Sequence, residues 1–169
     1  SRQLFINRIQ KFISLHMVDN MPKHIASGLK YLAAVKLKNQ GKSQQFIADE
    51  LKVDRSTVSH YFNGRNLSWN SIDVARTITE LTPFDFLKMA RAIIDEPDQC
   101  RKIVNICKNK EYNAIIEDTC IGCGLCVSLC FMNAVSLVAL KSQIDSINCC
   151  GCLSCKDGCP TNSIKILEI

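Results

Sequence analysis

The sequence predicts a chain of two unlike parts, an all-α N-terminal part followed by a small α+β C-terminal domain. Three observations carry this expectation. Apolar side chains recur at helical spacing, punctuated by capping residues, from the start of the chain to about Asn109. After Tyr112 the pattern changes to short β-branched pieces set among cysteine-rich loops. Charge and sulfur change at the same place: residues 1–112 hold 18 Lys/Arg against 11 Asp/Glu, residues 113–169 hold 3 against 5, and 9 of the 11 cysteines follow residue 119. The first part suits a polyanionic partner and the second does not.

Residues 1–18 carry Leu4, Phe5, Ile9, Phe12, Ile13 and Met17 along one helical stripe, with Pro22 ending the helix near Asp19 or Asn20. Residues 25–39 form the next helix, stopped by Gly41. Ser43 caps a short helix through Leu51, and Asp54 or Ser56 caps another that stops at Asn63-Gly64. A further helix fits Ser71 to Leu81. Thr82, Pro83 and Asp85 then supply a cap, a proline for the first helical position and an acid for the first turn of a helix to about Ile94. Pro97 opens the last long helix, to about Asn109. Strands are expected over Ala114 to Ile116, Val135 to Val138 and Ile164 to Leu167. No apolar run approaches the ~18 residues of a membrane span, and the densest, Ala134 to Leu140, is far too short. The charged, amphipathic opening is unlike a signal peptide, so a soluble cytoplasmic protein with no membrane partner is expected.

The C-terminal part repeats itself. A shift of 29 residues lays Cys120, Cys123, Cys126 and Cys130 onto Cys149, Cys152, Cys155 and Cys159, and Ile115, Asn133, Val135 and Leu137 onto Ile144, Asn162, Ile164 and Ile166. Each copy is too short to bury a core alone, so the copies must pack as a pair. Each reads C-x2-C-x2-C-x3-C, and thiols at i, i+3 and i+6 curl around one face of a cube whose remaining iron is reached from elsewhere. Zinc would leave the third cysteine of each triplet without a role, and disulfides would need an oxidising compartment. Residues 113–169 resemble the bacterial-type two-cluster ferredoxins. The resemblance implies two [4Fe–4S] clusters, one on Cys120, Cys123, Cys126 and Cys159 and the other on Cys149, Cys152, Cys155 and Cys130. The departure is Phe131, where that family usually has Pro. Gly122, Gly124 and Gly151 sit between ligands, where backbone N–H groups can turn toward sulfur. Cys100, Cys107 and Cys150 stand outside the set and are expected to be packing side chains.

Residues 44–63 carry apolar Ile47, small Ala48, apolar Leu51 and Val53, then Val58 and Tyr61, and resemble the helix-turn-helix of the Cro and phage-repressor type. The turn position usually held by Gly is Lys52. The resemblance implies a recognition helix over 55–63 that enters the major groove and turns Arg55, Ser56, Thr57, Ser59, His60 and Asn63 outward. Arg can read guanine, Asn adenine, and hydroxyls can hold phosphates. Residues 20–70 hold 8 Lys/Arg against 3 acids, with Lys36, Lys38, Lys42, Lys52 and Arg65 as expected phosphate neighbours.

The expectation is therefore an all-α N-terminal helix-turn-helix domain plus a small α+β ferredoxin-like C-terminal domain. Its divisions are 1–20 (amphipathic helix, possible oligomerisation), 21–82 (DNA-binding domain), 83–112 (helical connector) and 113–169 (two-cluster domain). With three histidines, no Ser/His/Asp arrangement and no phosphate-cradling Gly loop, no enzyme is expected. The arrangement looks like helix-turn-helix–ferredoxin fusion regulators of anaerobic archaea, especially methanogens. That resemblance implies a redox- or oxygen-responsive regulator that binds double-stranded DNA as a homodimer or higher oligomer. The alternatives are an electron carrier or oxidoreductase subunit with a helical docking domain, served by an electron donor, and a DNA-repair accessory protein with structural clusters.

Overall fold

The computed structural model describes residues 21–65 and 67–169. The expected helix over 1–18 and its interface role lie outside these residues. Helix α1 (Met21–Asn39) opens ahead of the expected Ile25, since a proline is compatible with a first helical turn. It buries Ile25, Leu29, Ala33, Ala34 and Leu37. At Gly28 a Cβ would stand 2.6 Å from the Ser71 carbonyl oxygen, so the glycine lets helix α4 (Trp69–Thr79) approach closely. Helix α2 (Gln44–Leu51) starts where Ser43 Oγ accepts from the Phe46 N–H at 3.2 Å, as its sequence predicts. Lys52 takes the left-handed conformation with φ 50°, which turns the chain into α3 (Arg55–Phe62). Ile47, Ala48, Leu51, Val58 and Tyr61 are all buried, and half-buried Val53 packs against them.

Two further helices differ in extent from expectation. Helix α4 begins two residues before Ser71 because Ser68, not a later residue, is the cap, its Oγ accepting from the Ser71 N–H at 3.4 Å. Helix α5 (Pro83–Ile93) follows the Thr82 cap as expected. Helix α6 (Pro97–Cys107) stops two residues short of Asn109. At its start the Glu96 carboxylate accepts from the Gln99 N–H at 2.7 Å and the Asp98 N–H at 3.2 Å, and these bonds hold it below the usual carboxylate range.

The C-terminal part contains β1 (Tyr112–Ile116), α7 (Leu125–Leu129), β2 (Val135–Val138), β3 (Lys141–Ile144), α8 (Ser154–Asp157) and β4 (Ile164–Glu168). Strand β3 and the two short helices were not expected from local pattern, because KSQI lacks the β-branched density of its neighbours and the helices span barely a turn. The 29-residue shift nevertheless carries β1 onto β3, α7 onto α8 and β2 onto β4. It also carries left-handed Asn133 (φ 54°) onto Asn162 (φ 51°) and Gly124 (φ 78°) onto Leu153 (φ 65°). Strand β1 pairs antiparallel with β4, and β2 with β3. Each two-stranded sheet therefore takes one strand from each copy, which makes the copies interdependent.

One cluster of buried side chains runs from Ile25 through the helices into the C-terminal part. Cys100, Ile103, Val104 and Cys107 of α6 belong to it together with Tyr112, Met132, Ala134, Cys149 and Cys150. Fully burying side chains such as Ile103 and Val104 contributes roughly 1.5–3 kcal/mol each, so the two parts are held in a fixed relation.

Candidate metal centres and nucleic-acid interface

The eight motif cysteines divide into two groups in space. Cys120, Cys123, Cys126 and Cys159 line one small cavity, bordered by Ser142, Thr161 and Ile164. Cys130, Cys149, Cys152 and Cys155 line a second, bordered by Met132, Ala134, Val135, Ile144 and Ile166. Each cavity thus collects the triplet of one copy and the last cysteine of the other, because the strand exchange delivers the end of each copy beside its partner's loop. Each cavity offers four motif thiols, the donor set that a four-iron cube takes, one thiolate to each iron.

The loops are shaped for close approach. At Gly122 a Cβ would meet the Leu140 carbonyl oxygen at 2.1 Å, and the residue has φ +66°, so both space and conformation require glycine. The N–H of Ala134 points to Cys130 Sγ at 3.3 Å, and its repeat counterpart, the N–H of Ser163, to Cys159 Sγ at 3.4 Å. Backbone N–H groups of Ser142 and Gly122 hold the Cys120 thiol below its ordinary range. Burial pushes Cys155 up to about 12. Cys150 is buried and lines the second cavity beside the motif thiols. The neighbouring Cys150 and Cys152 thiols act on each other, which lowers the Cys152 thiol and raises that of Cys150. Cys100 and Cys107 are buried on α6, where desolvation raises them to about 11 and about 12. These values describe inert packing thiols, as expected of them.

On the helical side, Arg55, Ser56 and Asn63 are exposed along α3, and Thr57, Ser59 and His60 are half-buried. The Asn63 amide donates to Ser59 Oγ at 3.3 Å, which orients it along the helix. Lys42 and Arg65 are exposed, and Lys38 lies 4.2 Å from the Phe62 ring centroid. Two of the expected phosphate neighbours are engaged elsewhere. The Lys36 ammonium donates to the carbonyls of Cys107 and Lys108 at 3.1 and 3.2 Å, closing the end of α6. Lys52 pairs with Glu96 at 3.1 Å.

Sequence reasoning missed the residues that join the two regions. Gln99 donates its side-chain amide to the Leu51 carbonyl at 2.6 Å, at the turn of the helix-turn-helix. One turn further along α6 is Lys102, paired with Glu50 at 3.2 Å. Arg101, on the same helix, donates through Nε to the Phe131 carbonyl at 2.6 Å, next to Cys130. The guanidinium groups of Arg91 and Arg101 both lie over the Phe131 ring, 4.3 and 5.0 Å from its centroid. Lys108 donates to the carbonyls of Ile147 and Cys149. None of these pairs is local, and only the unusual Phe131 marked the place.

The fold and its cavities define a helix-turn-helix protein with a [4Fe–4S]-binding ferredoxin-type domain. Residues 35–68 match the family described as helix-turn-helix, and residues 114–136 the family described as 4Fe-4S binding domain. The chain belongs to the family of the ferredoxin-type protein FwdE. It is 36% identical over 152 residues to FwdE of Methanocaldococcus jannaschii, covering 88% of this chain and 99% of that one. A 59-residue stretch, 35% of this chain, is 32% identical to part of a subunit of the ion-translocating oxidoreductase complex of Methanosarcina acetivorans and spans 22% of that protein. No solved structure matches the chain. Among the described residues no helix is long and apolar enough to cross a membrane.

Proposed function

We propose that this protein is a non-catalytic, redox- or oxygen-responsive DNA-binding transcriptional regulator that carries two [4Fe–4S] clusters. One is held by Cys120, Cys123, Cys126 and Cys159, the other by Cys149, Cys152, Cys155 and Cys130. The observation that carries the proposal is α6, which bonds the helix-turn-helix turn through Gln99 and the residue after Cys130 through Arg101. A carrier of electrons has no need of such a link to a basic helix-turn-helix. When bound, the clusters supply a one-electron couple and sensitivity to oxygen. The chain's own residues hold them, and α6 passes any displacement of Phe131 or of the Cys149 loop to the turn before the recognition helix. Dimerisation on a two-fold operator belongs to the same reading.

Anaerobically purified protein is expected to be brown and to contain about eight iron and eight acid-labile sulfide per chain, the content of two cubes. Elemental analysis checks this, and zinc at one per motif overturns it. On DNA, Arg55→Ala and Asn63→Ala are expected to lose discrimination between sequences, at ~1–3 kcal/mol for a bidentate base contact. Lys42→Ala is expected instead to weaken all sequences alike and to flatten the salt dependence. Gel shifts with the protein's own upstream DNA at several salt concentrations distinguish the two behaviours, and identical behaviour of the three variants removes α3 as the reading element.

The second reading is an electron carrier whose helical part docks a partner enzyme. It is favoured by the methanogen relative, a ferredoxin-type protein that this chain matches over nearly its whole length. It predicts no sequence-dependent DNA binding, so the same gel shift separates the two.

A further inference from the structure

The 29-residue repeat carries the order of strands and helices but not the side chains around the two cavities. Ser142 lies on β3 and is 5% exposed, with its Oγ 3.0 Å from Cys126 Sγ and 3.7 Å from Cys120 Sγ. Its repeat counterpart, Asn113, instead accepts from the Ala114 N–H and Ser146 Oγ. Thr161 Oγ1 is 3.6 Å from Cys159 Sγ and 2.6 Å from Ser163 Oγ, which is 2.8 Å from Thr119 Oγ1. The counterparts of Thr161 and Ser163 are Met132 and Ala134, which carry no hydroxyl. Around the second cavity one hydroxyl, Ser154, approaches a motif sulfur, at 3.5 Å from Cys152.

A thiolate bound to iron carries no proton, so a hydroxyl in contact with it donates. With Cys159 accepting, the order Thr119 to Ser163 to Thr161 to Cys159 is the one in which every hydroxyl donates toward the sulfur, and each bond polarises the next. Ala134 and Ser163 are equivalent backbone donors to the two sets, whereas the Ser142 N–H, beside its own hydroxyl, is an added donor to Cys120. The nearest lysines do not distinguish the sets, because Lys141 is paired with Asp118 at 2.9 Å and Lys108 with Glu111 at 3.0 Å. What remains is Ser142, the other hydroxyls and solvent. The first set has one exposed thiol, Cys123, and one buried, Cys126, whereas the second has two buried, Cys149 and Cys155. Donors to sulfur and access of water both favour the more negative, reduced cluster, and so raise its potential.

We propose that Ser142, with the Thr161–Ser163 pair, makes the Cys120 cluster the higher-potential one, so that the first electron rests there and only stronger reduction charges the Cys149 cluster beside α6. Ser142 and Thr161 act as positioning residues that set the potential at which the first electron is taken up. This rests on the two-cluster reading, and iron content tests that reading separately.

The test is a redox titration of the full-length protein followed by electron paramagnetic resonance, on wild type, Ser142→Ala, Thr161→Val and Ser154→Ala, each first assayed for iron. Two resolved reduction steps are expected in the wild type. Ser142→Ala is expected to lower the upper step by about 59 mV, tenfold in a one-electron equilibrium, and leave the lower one in place. Thr161→Val, outside any strand, is expected to move the same step in the same direction if Ser142→Ala fails to fold. Ser154→Ala is expected to move the lower step alone. Unresolved steps in the wild type, or an upper step unmoved by both hydroxyl losses at full iron content, overturn the assignment. About four iron in the wild type instead overturns the two-cluster reading beneath it.

Discussion

Removal of the clusters is expected to change operator affinity more than tenfold, about 1.4 kcal/mol or more. The lever is the fold of the C-terminal part. Each copy supplies one strand to each sheet, and each thiol ring takes ligands from both copies, so the cluster ligation and the strand exchange stabilise the same arrangement. A 57-residue module in which 8 side chains are motif thiols has little apolar core to fall back on. Its loss frees the Phe131 and Cys149 carbonyls that Arg101 and Lys108 hold, and with them the outer side of α6. The inner side of α6 bonds the Leu51 carbonyl through the buried Gln99 amide. The turn that aims Arg55 and Asn63 therefore loses its support. Coupling is reciprocal, so operator binding must also shift a cluster potential. Affinity for operator DNA, measured by anisotropy under strict anaerobiosis for reduced, oxidised and apo protein, checks both statements. Equal affinity in all three states leaves the clusters to electron transfer.

Within that response the second thiol ring is expected to dominate. Cys149→Ser removes a ligand whose carbonyl Lys108 holds, whereas Cys123→Ser acts on an exposed thiol far along the loop from any bond to α6.

Much of this was legible in the sequence because it is encoded locally or by repetition. The helix-turn-helix pattern fixes which side chains face inward, and five of its six positions are buried. The cysteine spacing with its 29-residue echo anticipates the two groups of thiols. Strand β3 escaped because KSQI is polar, although the echo of the first strand falls on it. With β3 went Ser142, whose only mark as a site residue is its position opposite Cys126. The start of α4 moved ahead of Ser71 because Ser68 caps it, through a local bond that the apolar spacing does not report. Lys36 and Lys52 looked free for phosphate because their partners, the end of α6 and Glu96, lie 44 or more residues away. Spacing rules are blind to such pairs, and the whole connection through α6 is of that kind.

Phe131 is expected to be the residue through which that connection is felt, and the variant that tests it is supplied by the ferredoxin resemblance. Two-cluster ferredoxins usually carry proline after the fourth cysteine, and proline offers no aromatic face. Here Arg91 and Arg101 both lie over the ring, each contact contributing roughly 0.5–2 kcal/mol according to its desolvation. The Arg101 bond to the Phe131 carbonyl adds about 1.5–3 kcal/mol, as hydrogen bonds from charged donors do. Together these exceed the ~1.4 kcal/mol of a tenfold response, so the clasp is strong enough to transmit it. Phe131→Pro leaves the thiol ring intact: Cys130 already has φ −85° and ψ 95°, in the extended region that a following proline favours. Phe131→Pro, which loses the aromatic contacts and keeps the carbonyl bond, is therefore expected to retain its iron and its binding of operator in the holo state while the difference between holo and apo affinity falls below tenfold. Arg101→Ala, which removes the carbonyl bond and half of the clasp, is expected to bring that difference below about threefold, ~0.65 kcal/mol. If either variant keeps its full complement of iron and still responds tenfold, the signal reaches the turn by another route, and the Lys108 bond to the Cys149 loop is the remaining one on α6's side of the cluster.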